Sequence, residues 1–289
     1  GVEPVAIAMP IGSEESFTGT IDLLGKTVNF WDQDGKLTTT NWSIENEIAW
    51  SEERRQLIEA IAETDDEILE EYLSGVEVSA SKLRLALRKA AITGRLIPVL
   101  PGSAFKNKGV EPLLDAVVDY LPSPLDRPAL VVKGEEGEHV VECDPKGPFA
   151  GLVFKVVETE HGSLAFVRIY RGQLHAGQSV LNVSQDTHAR VGRLAVIMAD
   201  ETRDVEGAQA GDIVAVIGWK NARTGDTLTD PSHPILLERI QAAAPVLAWR
   251  LSPEKGSDIS RLATGLDKLV REDPSLRVGS DSQTGETVL

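Results

Sequence analysis

Gly102-Ser103-Ala104-Phe105-Lys106-Asn107-Lys108-Gly109 is the stretch on which the reading of this chain turns. On its N-terminal side, residues 96–100 form a short apolar run suited to a buried strand. On its C-terminal side, Val110, Leu113, Leu114, Val117 and Leu121 recur at helical spacing, which predicts an apolar stripe turned toward a core. Strand, loop and helix in that order are the repeating unit of an α/β domain. Small residues in the loop let the backbone approach a flat ligand, and free amides near a helix start can donate to a carbonyl oxygen. On chemistry alone, an ordinary strand-to-helix connection explains the same residues more economically.

Upstream of the loop, residues 1–10 read as a buried strand, and residues 17–31 as strand, turn, strand with Gly25-Lys26 at the turn and 32–35 as the next turn. From 45 to 73 the period changes. Ile58, Ile61, Ala62, Ile68, Leu69 and Tyr72 fall on one helical stripe, while Glu59, Glu63, Asp66 and Glu70 face away, so an acidic amphipathic helix or pair of helices is expected. Ser79 or Ser81 can cap a further helix through Leu83, Leu87 and Ala91, ended by Gly94. Downstream, Leu121-Pro122-Ser123-Pro124 stops the helix after the loop. Residues 126–148, with Gly-Glu-Glu-Gly-Glu inside them, read as a polar linker. Short β-rich runs follow at 152–157, 164–170, 178–183, 189–197 and 213–217, divided by Gly162, Gly172, Gly177 and Gly211; this texture predicts an all-β barrel over 149–243. The last segment, 244–289, reads strand (246–251), helix (259–270), strand (276–278) and a turn at Gly285, too little for an independent core.

The octapeptide together with the run from Val110 to Pro124 resembles the end of the GTPase domain of elongation factor G, where a Ser-Ala pair is the fifth guanine-nucleotide motif. The resemblance implies that the amide of Ala104 faces the guanine O6, that Ser103 shapes the turn, and that Lys106 flanks the base. Other stretches are similar to the same family: residues 10–23 to the entry of its insertion subdomain, 57–73 to its acidic helix, 166–181 with 210–213 and 224–228 to its barrel, and 272–278 to the opening of its third domain. It therefore implies a multidomain α/β plus all-β chain. Residues 1–125 would be the C-terminal part of a P-loop GTPase domain with an α+β insertion at about 10–95, 126–148 a linker, 149–243 a translation-factor β-barrel, and 244–289 the start of an α+β, ferredoxin-like third domain.

The departures matter as much. Gly19 and Gly25-Lys26-Thr27 have five residues between the glycines where a phosphate-binding loop has four, and they lie in an apparent hairpin. Asn107-Lys108 lacks the aspartate of the base-specificity motif, because Val110 stands in its place; Asp32 to Gly35 and Asp144 to Gly147 match Asp-x-x-Gly without its neighbours. In the family, the phosphate loop, the magnesium-binding segment and the catalytic histidine precede the region seen here. No catalytic residue is assigned, and GTP or GDP with magnesium is expected only in the longer parent. His139, His161, His175, His188 and His233 have no ligand-like spacing, so no metal site is assigned.

Composition bounds the partners. The formal charge is −16, and 21 acidic against 11 basic residues fall within 1–125, whereas 149–243 holds 11 and 9. Such a balance argues against a general nucleic-acid coat, since phosphate affinity comes from clustered Lys and Arg. A local ribosomal RNA contact through Arg168, Arg171, Arg190, Arg193, Lys220 and Arg223 stays open. The family likeness adds a contact between helix 57–73 and the mobile stalk protein of the ribosome. An acidic face that merely solvates the protein is the plainer explanation. Cys143 is the single cysteine, and no run approaches the roughly 20 apolar residues of a membrane helix. A cytoplasmic, monomeric fragment of a ribosomal translocase GTPase is the expectation. A ribosomal protection protein, another translational GTPase, or a non-enzymatic ribosome-binding module are the alternatives.

Overall fold

The computed structural model describes residues 2–32, 34–134, 137–159, 162–219, 221–237, 240, 242, 245–253, 255–280 and 286–289. The chain divides into two compact units, Gly1–Asp126 and Arg127–Leu289.

In the first unit, β1 (Glu3–Ala6) pairs in parallel with β6 (Leu96–Val99). Strands β2 (Ala8–Ile11), β3 (Gly19–Asp22), β4 (Thr27–Trp31) and β5 (Leu37–Asn41) form an antiparallel meander. The expected single strand over 1–10 is thus two strands. Its chain changes sheets at Ile7, whose amide donates to the Val99 carbonyl while its own carbonyl accepts from Leu23. Nor is β1 fully buried, because among the described residues β6 is its only strand partner. Gly25 and Lys26 make the β3–β4 turn, with Lys26 at φ 52°, so they belong to a hairpin.

Four helices follow β5: α1 (Ile44–Ala49), α2 (Ser51–Ala62), α3 (Asp66–Leu73) and α4 (Ala80–Ile92). Side chains of Ser43, Asp65 and Ser79 cap three of them by accepting from backbone amides of the first turn. Leu57, Ile61, Ile68, Leu83 and Leu87 interlock with Ile21, Leu23 and Val28 of the sheet, giving the unit one core. Burying each such side chain is worth about 1.5–3 kcal/mol. The guanidinium of Arg54 is drawn into this core and donates to the carbonyls of Leu23 and Leu24. Helix α5 (Val110–Tyr120) closes the unit but departs from expectation. It buries Tyr120, whereas Leu113, Leu114, Val117 and Leu121 of the anticipated inner stripe are exposed. Helical periodicity reports that a face is apolar; which surface covers it is not written in the spacing.

The second unit opens where a polar linker was expected, with a hairpin of β7 (Leu130–Gly134) and β8 (Gly137–Val141). Val132 and Val141 bury against Leu237. Ten strands follow. They are β9 (Ala150–Thr159), β10 (Gly162–Arg171), β11 (Gln173–His175), β12 (Ser179–Asn182), β13 (Thr187–Arg190), β14 (Arg193–Met198), β15 (Glu201–Val205), β16 (Gly207–Gln209), β17 (Ile213–Ile217) and β18 (Thr227–Thr229). Eight of them form one antiparallel sheet in the order β13-β12-β18-β9-β10-β17-β14-β15, and β11 pairs with β16. Alternate residues of β10 (Ala165, Val167, Ile169) point into one core. Val180 of β12 and Leu194 of β14 share that core from opposite ends of the sheet, which therefore curls around it.

Beyond the sheet come β19 (Arg250–Leu251), α6 (Ile259–Glu272), β20 (Gly279–Ser280) and β21 (Thr287–Val288), with strand order β19-β21-β20. The first strand is shorter than the expected 246–251, and Val246 and Leu247 are exposed. The turn expected at Gly285 lies outside the described residues.

Candidate functional site

The loop from Gly102 to Gly109 leaves the C-terminal end of β6 and closes on itself before α5 begins. The Ser103 amide donates to the Lys108 carbonyl at 2.8 Å, and the Ser103 carbonyl accepts from the amides of Lys106 and Lys108, both at 3.1 Å. The Asn107 amide donates to the Ala104 carbonyl at 3.0 Å. Two left-handed residues make this closure possible, Asn107 at φ 51° and Gly109 at φ 82°. A Cβ on Gly109 would stand 3.0 Å from both Gly102 Cα and the Pro101 carbonyl oxygen, so the two glycines are needed for the loop's ends to meet.

This arrangement uses the amides of Ser103, Lys106, Asn107 and Lys108 internally, while the amide of Ala104 meets no acceptor among the described residues. Ala104, Phe105 and Lys106 are all exposed, Phe105 fully. Lys106 forms no ion pair among the described residues. The loop thus presents the unbonded amides of Ala104 and Phe105 beside the exposed Lys106 cation. A cavity of about 430 Å³ in the same unit is lined by Thr20, Asp22, Arg84, Asp119 and Tyr120 among others, and none of Ser103, Ala104 or Lys106 lines it.

Contacts that sequence reasoning missed bind this loop to the β2–β5 sheet. Lys108 Nζ donates to the Phe17 carbonyl at 3.2 Å, and Trp31 Nε1 donates to Glu111 Oε2 at 3.0 Å. Separations of 91 and 80 residues leave no periodic signal, although Trp31 at the end of a strand was visible.

The acidic face is less free than the helical pattern implies. Glu59 accepts from Arg55 at 2.5 Å and from the Tyr72 hydroxyl at 2.6 Å, and the Glu59 hydrogen bond is the main cause that pushes the Tyr72 phenol up. Glu63, Asp66 and Glu70 are exposed. In the second unit, Arg190 Nε donates to the Gly177 carbonyl and Arg193 pairs with Asp204 at 2.7 Å. Arg168 lies over the Tyr170 ring, while Lys220 and His161 lie outside the described residues. No group of three metal-capable side chains is assembled among the described residues. The buried carboxylate of Asp226 organises the connection before β18. It accepts from Asn182 Nδ2 at 2.8 Å, Gln185 Nε2 at 2.7 Å and the Arg223 amide at 2.9 Å.

Residues 148–231 match the family model described as Elongation factor G domain 2, and residues 242–289 match Elongation Factor G, domain III. A solved structure from Thermus thermophilus is similar at 29% sequence identity with a TM-score of 0.76; the match covers 99% of this chain and 41% of that one. These findings place the second unit among the domains of translation elongation factors. Residues 148–231 and 242–289 thus fall in the second and third domains of the elongation factor G family.

Proposed function

We propose that this chain is the part of a ribosomal translocase that closes the base side of a guanine-nucleotide pocket and carries the family's second and third domains. The whole protein would hydrolyse GTP with magnesium in the cytoplasm and couple the loss of the γ-phosphate to movement of tRNA and mRNA. The observation that carries the reading is the Ala104 amide, which with that of Phe105 has no acceptor among the described residues on a loop whose Ser103, Lys106, Asn107 and Lys108 amides are bonded internally. A fixed donor of this kind suits a purine carbonyl, with Ser103 shaping the turn and Lys106 beside the base plane. The phosphate cradle would come from elsewhere in the polypeptide. The exposed apolar residues of α5 and of β6 (Leu114, Val118, Ile97, Val99) are a surface such a part would cover.

Replacing Ala104 by Pro removes that N–H, and Ser103 is already extended (φ −132°, ψ 93°), short of the ψ of about 120–160° that a residue before proline favours by a modest rotation. In the full-length protein, Ala104→Pro is expected to weaken GDP binding about tenfold, the value of one hydrogen bond to a buried polar group. The 289-residue chain alone is expected to bind GDP only weakly. Calorimetric titration of both proteins tests this. Micromolar binding by the short chain, or unchanged affinity in the proline variant, overturns the reading.

A further inference from the structure

The loop that carries Ala104 has its lateral support in the meander. Lys108 Nζ reaches the Phe17 carbonyl before β3, and Glu111, in the first turn of α5, accepts from Trp31 Nε1 at the end of β4. Beside these, a Cβ on Gly35 in the β4–β5 connection would stand 3.5 Å from Asn107 Nδ2. Both anchoring residues on the sheet side are buried, Trp31 at 5% exposure and Phe17 at 8%. A buried indole N–H on a carboxylate is a charge-assisted bond, and its loss would leave both groups poorly solvated. The loop also holds Asn107, a non-glycine residue, in the left-handed region at φ 51°, a conformation that its surroundings must support.

We propose that Trp31, Glu111 and Lys108 are positioning residues that hold loop 102–109 in its base-binding form, so that the inserted sheet sets how fast guanine nucleotide leaves. This rests on the assignment of Ala104 to the base edge. Because the tethers act on the base side alone, GDP and GTP lose affinity by the same factor when they are cut. A partner that displaces the β4–β5 hairpin would loosen the nucleotide without touching its phosphates.

Two measurements on Trp31→Phe and Lys108→Met separate the inference from that assignment. Hydrogen exchange in the 289-residue chain is expected to show the amides of Lys106, Asn107 and Lys108 exchanging about tenfold faster, with those of α4 unchanged. Unaltered loop exchange overturns the tether. In the full-length protein, stopped-flow release of a fluorescent GDP analogue is expected to accelerate about fivefold to tenfold in Trp31→Phe, with GDP and GTP affinities falling equally. Glu111→Gln in the Trp31 background, which keeps an acceptor for the indole, is expected to release the analogue at close to the wild-type rate. Faster loop exchange with unchanged release overturns the control of nucleotide departure. Failure of the wild-type full-length protein to bind guanine nucleotide overturns the base-edge assignment, and the exchange measurement still decides whether the tether exists.

Discussion

Gly109 and Asp226 show how much single residues carry. Gly109 sits at φ 82° with two backbone atoms 3.0 Å from the position of a Cβ. Gly109→Ala is expected to cost about 1–2 kcal/mol for the left-handed backbone alone, read as a lowered unfolding midpoint in urea. Asp226 is 4% exposed and its carboxylate accepts three hydrogen bonds. Asp226→Ala strands Asn182, Gln185 and the Arg223 amide, and the expected loss is about 3 kcal/mol, measurable in the same way. The Gly-Asp-Thr run around Asp226 was conspicuous in the sequence, yet its role was not. A carboxylate that ties three segments looks, in one dimension, like a turn residue. Burial pushes the Tyr120 phenol up to about 12. A raised folded-state value of this kind contributes stability below the ordinary 10.0 and loses it above, so alkaline unfolding of the first unit is expected to begin past that point.

At the level of elements, the helical subdomain is pinned by Lys26, whose Nζ bridges Glu77 at 2.8 Å and Glu47 at 3.0 Å. The bond to Lys26 holds the Glu77 carboxyl below its ordinary value of 4.5, while the bonds to Glu77 and then Glu47 raise Lys26 above 10.5. A depressed carboxylate stabilises fully above its unfolded value and loses that contribution as pH falls through the folded one; the raised amine does the reverse. The bridge is therefore intact between pH 4.5 and 10.5, and urea midpoints are expected to fall outside that window. Lys26→Met should flatten the acid limb, and an unchanged acid limb would show that the bridge contributes nothing. Helix propensity and caps at Ser79 and Gly94 were legible along the chain. The α5 stripe was legible only as apolar, since its covering surface is not among its own neighbours. The β7–β8 hairpin was hidden because the Gly-Glu-Glu-Gly-Glu run at 134–138 has the composition of a linker.

Across the whole molecule, the order of an α/β unit, a curled antiparallel sheet and a mixed tail followed from local periodicity, whereas the Trp31–Glu111 contact depends on a closure that no local pattern records. Charge works at this scale too. If the exposed face of α2 and α3 meets a basic or stalk-like ribosomal partner, Glu63→Lys with Glu70→Lys should slow association and weaken its salt dependence. Unchanged stalk-stimulated turnover in the full-length protein would leave that face a solvated surface. The junction of α6 with the curled sheet has a consequence of another kind. Thr224 donates its amide to Arg271 and its hydroxyl to Glu272, while the Glu272 carboxylate accepts from the Glu158 amide of β9 at 2.6 Å. Thr224→Val is expected to free the last turn of α6 by about 1 kcal/mol, seen as faster amide exchange there. Force applied to α6 would thus reach β9 directly at the Glu158 amide and indirectly through Thr224, whose hydroxyl also accepts from the Val156 amide at 3.2 Å, so one helix end acts as a transmission shaft into the sheet.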